Sequence, residues 1–292
     1  MTKGILALVL LAPLLASCSG GSAGPEERTV DIGTHSLHAV VAGEGAPPVV
    51  IDGGIGALSE EYRELVSTLA SYTTVVAYDR AGYGPSEPGP LPRDGRRAAQ
   101  ELRTLLEELA IRGPYVLVGH SLGGLNAQIY AALYPDDLAG MILLDPPPLG
   151  FIMGQEYPEL AAMAEGMTEE WQGIADRGAD SESEGERTQA GFFSMLASEH
   201  REMFDASARQ ASSIASFGEL PTVVIASGVP NPLFGDVASA YQEYWASESR
   251  ELAAKSSCGE FVLVEDSTHR LHDDAADLVA ETIVSLVRSA RE

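Results

Sequence analysis

A serine framed by two glycines, Gly119-His120-Ser121-Leu122-Gly123, stands where a strand-like run gives way to a helical pattern. Tyr115–Val118 reads as a buried strand, and an amphipathic helix over Leu122–Tyr134 starts at the residue after the serine. A chain passing from strand to helix with no loop between them must turn sharply. Such a turn strains the serine backbone and lifts its hydroxyl clear of the sheet. Gly119 and Gly123 suit that geometry, because a side chain at either position would collide where helix and strand pass closely. The pentapeptide alone is a weak signal, since a glycine-rich turn with an incidental serine reads the same way. Its strand–turn–helix setting is what makes Ser121 a candidate nucleophile.

The remaining chain alternates in the same manner. Besides Tyr115–Val118, strands are predicted at Thr29–Ile32, Leu37–Val41, Pro48–Ile51, Thr73–Tyr78, Gly140–Leu144, Thr222–Ala226 and Phe261–Val264. Helices are predicted at Ser59–Ala70, Arg96–Leu109, Val237–Ala254 and Asp274–Arg288. In the second of these, Leu102, Leu105, Leu106 and Leu109 recur at three- and four-residue steps. This pattern specifies an α/β fold with a mostly parallel sheet flanked by helices. The alternation breaks once, over Pro146–Leu220, which is strand-poor and helix-compatible. Residues 28–145 and 221–292 are therefore expected to form the core. Residues 146–220 are expected to be a helical cap insertion over the carboxyl ends of the strands, where open α/β sheets bind ligands.

Charge excludes one class of partner. With 18 Lys and Arg against 43 Asp and Glu, the formal charge is −25, and such a surface repels phosphate backbones. Nucleic-acid binding is out. Two cysteines make no disulfide framework, and no Cys/His cluster has zinc spacing.

The N-terminus reads as an address. Lys3 precedes the apolar run Ile5–Leu15, which ends in Ala16-Ser17-Cys18. Leu15-Ala16-Ser17-Cys18 resembles the bacterial lipobox. Residues 1–17 are then a lipoprotein signal peptide, Cys18 is the lipidation site, and residues 18–27 form a flexible tether. A lipid on Cys18 would hold an extracytoplasmic domain at the cell membrane without a transmembrane helix. The alternative is a secretory signal that merely contains a cysteine. Cys258, just before a predicted strand, reads as a partly buried free thiol.

A serine hydroxyl needs a base. Of six histidines, His35 and His38 lie beside the first strands, His120 belongs to the turn itself and His200 lies in the insertion. His269 comes first after the last strand, in Glu265-Asp266-Ser267-Thr268-His269, and a loop there can return to the top of the sheet. His269 is the favoured base, and His272 is expected to pack or cap locally.

The chain resembles the α/β-hydrolase family, in its cap-bearing branch. The resemblance runs from about Val30 to Val287, without most of the insertion. It rests on Ile51-Asp52-Gly53-Gly54-Ile55-Gly56, on Tyr78-Asp79-Arg80-Ala81-Gly82-Tyr83-Gly84-Pro85-Ser86, on the Gly119–Gly123 turn, and on Ser267-Thr268-His269. It implies a Ser…Asp/Glu…His order. It also implies an oxyanion hole from the N–H of Leu122 and the N–H of Ile55, with Gly54 as alternative. The common His-Gly opening of that loop is replaced by Gly53-Gly54.

In much of the family the acid follows the strand here at Thr222–Ala226, where this chain has Asn231. Some relatives carry it one strand earlier. Asp145, at the end of Met141-Ile142-Leu143-Leu144-Asp145, is the favoured acid, and Pro146-Pro147-Pro148 is expected to hold it extended. Asp236 is the alternative acid, with helix capping as its competing role, and Glu265 and Asp266 remain further options. Asp145 itself competes with a role in capping the chain's exit. Asp79–Ser86 reads as scaffolding.

The acid cluster Asp180, Glu182, Glu184 and Glu186 reads as a solvated loop. Phe151, Met153, Met163, Trp171, Phe192, Phe193, Met195 and Phe204 suit an acyl pocket and suit helix packing equally. The expected activity is that of a serine hydrolase cleaving a small-molecule carboxylic ester, with Ser121, His269 and Asp145 as triad and no metal or organic cofactor. The alternatives are a proline-type aminopeptidase, an acyltransferase, and a lipid-tethered binding module without catalysis.

Overall fold

The computed structural model describes residues 24–292. The signal peptide over 1–17 and the lipidation site Cys18 lie outside the described residues. Eight strands form one sheet: β1 (Glu26–Asp31), β2 (Ser36–Ala42), β3 (Val49–Asp52), β4 (Val75–Asp79), β5 (Tyr115–His120), β6 (Leu138–Leu144), β7 (Thr222–Ser227) and β8 (Gly259–Val264). Their order is β1-β2-β4-β3-β5-β6-β7-β8. The pairings β1–β2 and β2–β4 are antiparallel, and all the others are parallel. β1 begins at Glu26, so the expected tether overlaps the strand at Glu26 and Glu27, which pair with Val41 and Val40.

Ten helices accompany the sheet among the described residues: α1 (Arg63–Leu69), α2 (Gly95–Glu108), α3 (Leu122–Leu133), α4 (Leu149–Ile152), α5 (Pro158–Gly178), α6 (Glu184–Met203), α7 (Ala206–Ser212), α8 (Ala238–Ala253), α9 (Leu271–Asp274) and α10 (Ala276–Ser289). None of them is long and apolar enough to cross a membrane. Because side chains alternate along a strand, the buried β3–β7 strands feed two separate cores. Val50, Leu117 and Leu143 meet Leu102, Leu105 and Leu106 of α2 and Tyr130 of α3 on one face. Ile51, Val118 and Ile142 meet Leu65 and Leu69 of α1 and Val279 and Ile283 of α10 on the other. Each such side chain contributes roughly 1.5–3 kcal/mol by leaving water. Leu105→Ala would cost about 2–5 kcal/mol, since the emptied space cannot fully collapse.

Helices α4 to α7 occupy the interval between β6 and β7. α5 and α6 pack as a pair. Phe151 and Ile152 of α4 pack with Leu122 and Leu125 of α3, and Met195 and Leu196 of α6 pack with Tyr83. The insertion thus rests on α3 and on the segment after β4 that carries Tyr83.

Candidate active site

β5 delivers Ser121 and α3 leads away from it. Ser121 has φ 52° and ψ −117°, a conformation costing about 1–3 kcal/mol for a residue with a side chain. Its N–H donates to Leu144 O at 2.9 Å, and its carbonyl accepts from Gly124 N–H at 2.8 Å. A Cβ on Gly119 would lie 2.4 Å from Gly123 O, and one on Gly123 would lie 2.1 Å from Asp52 O. No carbon tolerates such contacts. The turn is sterically closed to any other residue at both positions.

Asp145 follows β6 and is not extended, contrary to expectation: its φ is 49°. Proline bars the residue before it from the right-handed helical region, and aspartate is among the side chains that accept positive φ. Its N–H donates to Ile225 O at 2.8 Å. Its Oδ1 accepts the N–H of Ser227 at 3.0 Å, and its Oδ2 accepts the Ser227 hydroxyl at 2.8 Å. Gln242 donates to Ser227 O at 2.6 Å from behind. The turn thus carries the carboxylate from β6 to the end of β7.

The same Oδ2 lies 2.6 Å from Nδ1 of His269. A carboxylate only accepts, so the hydrogen sits on Nδ1 and the lone pair of Nε2 is left free. Asp145 is 2% exposed, whereas the His269 side chain is 41% exposed. His269 packs against His120, the residue before Ser121, with ring centroids 4.9 Å apart. Ser121 Oγ and His269 Nε2 are not hydrogen-bonded to each other.

The amides expected to form the oxyanion hole differ in how they are used. Gly54 N–H donates to the Tyr62 hydroxyl at 3.1 Å, while Ile55 N–H has no acceptor among the described residues. Leu122 N–H opens α3, where no intrahelical acceptor exists. Tyr62 Oη also lies 2.9 Å from His120 Nδ1, and His120 Nε2 lies 2.9 Å from His269 O. A carbonyl must accept, so His120 donates from Nε2 and receives the tyrosine proton at Nδ1. Burial, reinforced by the nearby His269, holds the His120 pKa well below the imidazole range. The neutral tautomer is the one this relay requires. His272 stacks on Tyr62 at 4.6 Å and meets His120 edge-on at 4.8 Å; burial lowers its pKa as well. It packs locally, beside rather than in the Asp145–His269 pair.

The profile of the alpha/beta hydrolase family matches residues 49–282. The chain belongs to that family. The uncharacterized protein YqjL of Bacillus subtilis is 24% identical over 238 residues, covering 81% of this chain and 82% of its own. The 2-(acetamidomethylene)succinate hydrolase of Mesorhizobium japonicum is 34% identical over 118 residues, covering 40% of this chain and 42% of its own. A thermophilic esterase from Thermogutta terrifontis superposes with a TM-score of 0.65 at 19% identity, over 91% of this chain and 100% of its own. That structural likeness is one of fold.

Within this alpha/beta hydrolase none of the other acid candidates is bonded to His269. Asp236 is exposed and does not cap α8, whose N-cap is Val237 with no side-chain bond. Its turn contains Gly235 at φ 55°. Asn231 caps that turn by accepting Leu233 N–H at 3.0 Å. Glu265 and Asp266 make no ion pair with His269, which is bound to Asp145. Cys258 is exposed, not partly buried, because its strand's end lies at the sheet margin.

A cavity of about 360 Å³ opens beside His269 and Asp145, with Val229, Pro230, Phe234, Gln242 and Trp245 in its wall. These residues follow β7. The insertion's aromatics instead pack among themselves and onto the core: Phe151 against Phe204 and Tyr241, Phe192 against Tyr83, Trp171 against His200. Met163 is exposed. His200 is buried, with Thr168 Oγ1 at 2.6 Å from Nδ1, and burial pushes its pKa down to about 4.

Three residues of the site escape a reading of the sequence: Tyr62, Glu199 and the reach of Arg80. Arg80 pairs with Asp52 and with Glu199 of α6, and the Tyr83 hydroxyl donates to Glu199 at 2.7 Å. Glu199 carries no signal in a segment crowded with acids. The Asp79–Ser86 motif marks Arg80 without disclosing its partners. His38, whose Nδ1 lies 2.8 Å from Asp79, belongs to the scaffold.

Proposed function

We propose that this alpha/beta hydrolase cleaves a carboxylic ester through Ser121, His269 and Asp145. The contact between Asp145 Oδ2 and His269 Nδ1 at 2.6 Å carries the reading, because it leaves Nε2 free to act as the base. Ser121 Oγ attacks the carbonyl carbon and its proton passes to Nε2. The carbonyl oxygen becomes an anion that the N–H groups of Leu122 and Ile55 receive, each such donor being worth about 3 kcal/mol in related sites. When the C–O bond breaks, His269 returns the proton to the departing alkoxide, and the alcohol leaves. Water then attacks the acyl-serine with the same base, releasing the acid and restoring Ser121. Asp145 holds the histidine's orientation and stabilises its charged form.

The cavity beside His269, walled by Pro230, Phe234 and Trp245, suits an uncharged, apolar group of the substrate. The insertion's buried Glu199 is engaged by Arg80 and so is unavailable to hold a substrate amine. We further propose that Cys18 is lipidated and that the domain works at the outer side of the cell membrane, a reading that rests on the Leu15–Cys18 motif.

Fluorophosphonate labelling beside a panel of nitrophenyl esters and prolyl amides tests the activity. Labelling at Ser121, lost in Ser121→Ala, together with ester turnover, is the expected result. Selective prolyl-amide turnover would replace the ester reading, and a folded protein that never labels would overturn it.

A further inference from the structure

Arg80 sits at the end of β4, 3% exposed, and its guanidinium is engaged at every nitrogen. Nη1 donates to Asp52 Oδ1 at 2.6 Å and to Gly53 O at 2.6 Å. Nη2 donates to Gly54 O at 2.7 Å and to Glu199 Oε2 at 3.1 Å, and Nε donates to Glu199 Oε1 at 3.0 Å. Burial alone would discourage the charge, but Glu199 and Asp52 outweigh it and raise the Arg80 pKa well above its ordinary value.

Two of these acceptors are consecutive carbonyls of the loop that presents Ile55. Gly54 O and Ile55 N–H belong to one peptide plane and, in a trans peptide, point in opposite directions. A donor fixed on Gly54 O therefore sets where Ile55 N–H points. A cation there also polarises that peptide, which makes its N–H the stronger donor. The preceding plane is held at both ends, by Arg80 on Gly53 O and by Tyr62 on Gly54 N–H. The two carbonyls take the N–H groups that the two carboxylates leave over, and burying charges for stability alone is a poor return on the desolvation cost.

We propose that Arg80 is a positioning residue for the oxyanion loop, and that Glu199 of α6 holds Arg80 in place, so that the seating of the insertion sets the reactivity of Ser121. The inference rests on the serine-hydrolase reading, in which Ile55 N–H receives the oxyanion. Arg80→Lys keeps the charge but loses the planar fork. Glu199→Gln keeps the shape but offers the guanidinium one acceptor oxygen in place of two.

Both variants are made in the full-length chain and compared with wild type for thermal unfolding, ester kcat and KM, fluorophosphonate labelling rate, and affinity for an alkyl boronate. The boronate's tetrahedral serine adduct places an oxygen where the oxyanion forms. Arg80→Lys is expected to lower kcat and the labelling rate about 10-fold or more, approaching the 10²–10³ lost when an oxyanion donor is removed. KM should stay unchanged and boronate affinity should fall with kcat. Glu199→Gln should give a smaller fall with the same pattern. A folded variant with wild-type kcat, or a fall in kcat without weaker boronate binding, overturns the inference. If Arg80→Lys does not fold, Glu199→Gln decides by the same criteria. A wild-type chain that neither labels nor turns over esters removes the functional reading and this inference together. An active wild type with two insensitive variants removes the inference alone.

Discussion

Asp145 and His269 are 124 positions apart in the chain, yet Oδ2 of one lies 2.6 Å from Nδ1 of the other. The pair is made possible by two turns. One rotates the aspartate off β6 at φ 49°, and the other returns the chain after β8 so that the His269 carbonyl accepts a bond from the His120 ring. Ser227 holds the carboxylate from the far side, and Gln242 holds Ser227.

Asp145→Asn should leave a folded protein with kcat reduced on the order of 10⁴, as in a related triad. Asp236→Asn should leave kcat unchanged, because that residue lies exposed on the outer turn. Steady-state kinetics with circular dichroism on both variants checks the assignment. The reverse outcome would move the acid to Asp236.

Gly123→Ala should be badly tolerated, since its Cβ would sit 2.1 Å from Asp52 O. Overpacking of this kind costs typically about 1–3 kcal/mol and more where backbone is the obstacle. Urea titration would read the loss, and a wild-type midpoint would show that β3 and α3 can separate.

Tyr62→Phe removes one hydroxyl and leaves both Gly54 N–H and His120 Nδ1 without their partner. Each buried group so orphaned costs about 1–3 kcal/mol. Reduced unfolding stability together with a fall in kcat is the expected result. Stability that is unchanged would argue that the relay is not buried in solution.

Acid should weaken the fold through His200. Its native pKa of about 4 lies below the unfolded imidazole value, so unfolding takes up a proton once the pH falls below about 6.5. The stability it contributes is complete above that pH and is lost as the pH falls toward 4, on the order of 3 kcal/mol in all. His200→Gln keeps a donor for Thr168 Oγ1 and removes the titration. Its urea midpoint should drop less than that of wild type between pH 7 and pH 4.5; parallel curves would exonerate His200.

Cys18→Ser should move the protein from the membrane to the soluble fraction of its host, read by fractionation. Continued membrane association would remove the proposed lipid anchor.

The turn around Ser121 was legible because its requirements are local: two glycines, a serine and a change of period fall within a few adjacent residues. The α/β alternation was legible for a similar reason, since Leu102, Leu105 and Leu106 must share a face whatever they pack against. Asp145 could be nominated, but its pairing could not be read, because φ at one residue decides where the carboxylate goes. The sequence suggested extension before Pro146, and the positive φ was missed. Tyr62 and Glu199 were illegible for another reason. Their parts depend on long side chains meeting across elements, Glu199 spanning 119 residues to Arg80, and no spacing rule encodes such a meeting. The insertion's aromatics suit a cavity wall and helix packing equally well by composition, and the fold uses them for packing.

With Asp145 bonded to His269 from the end of β6, the turn after β7 meets the histidine's loop through its backbone, where Gly228 and Val229 N–H donate to Ser267 O. That turn, from Gly228 to Asp236, carries Val229, Pro230 and Phe234 of the cavity wall and presents Leu233 at 80% exposure. On the proposed ester-hydrolase reading, proton transfer and substrate shape are written on different stretches of chain. If that reading holds, a lineage or a designer can rewrite the second while the first stays intact, and exchanges confined to 229–234 are the economical route to a new ester preference.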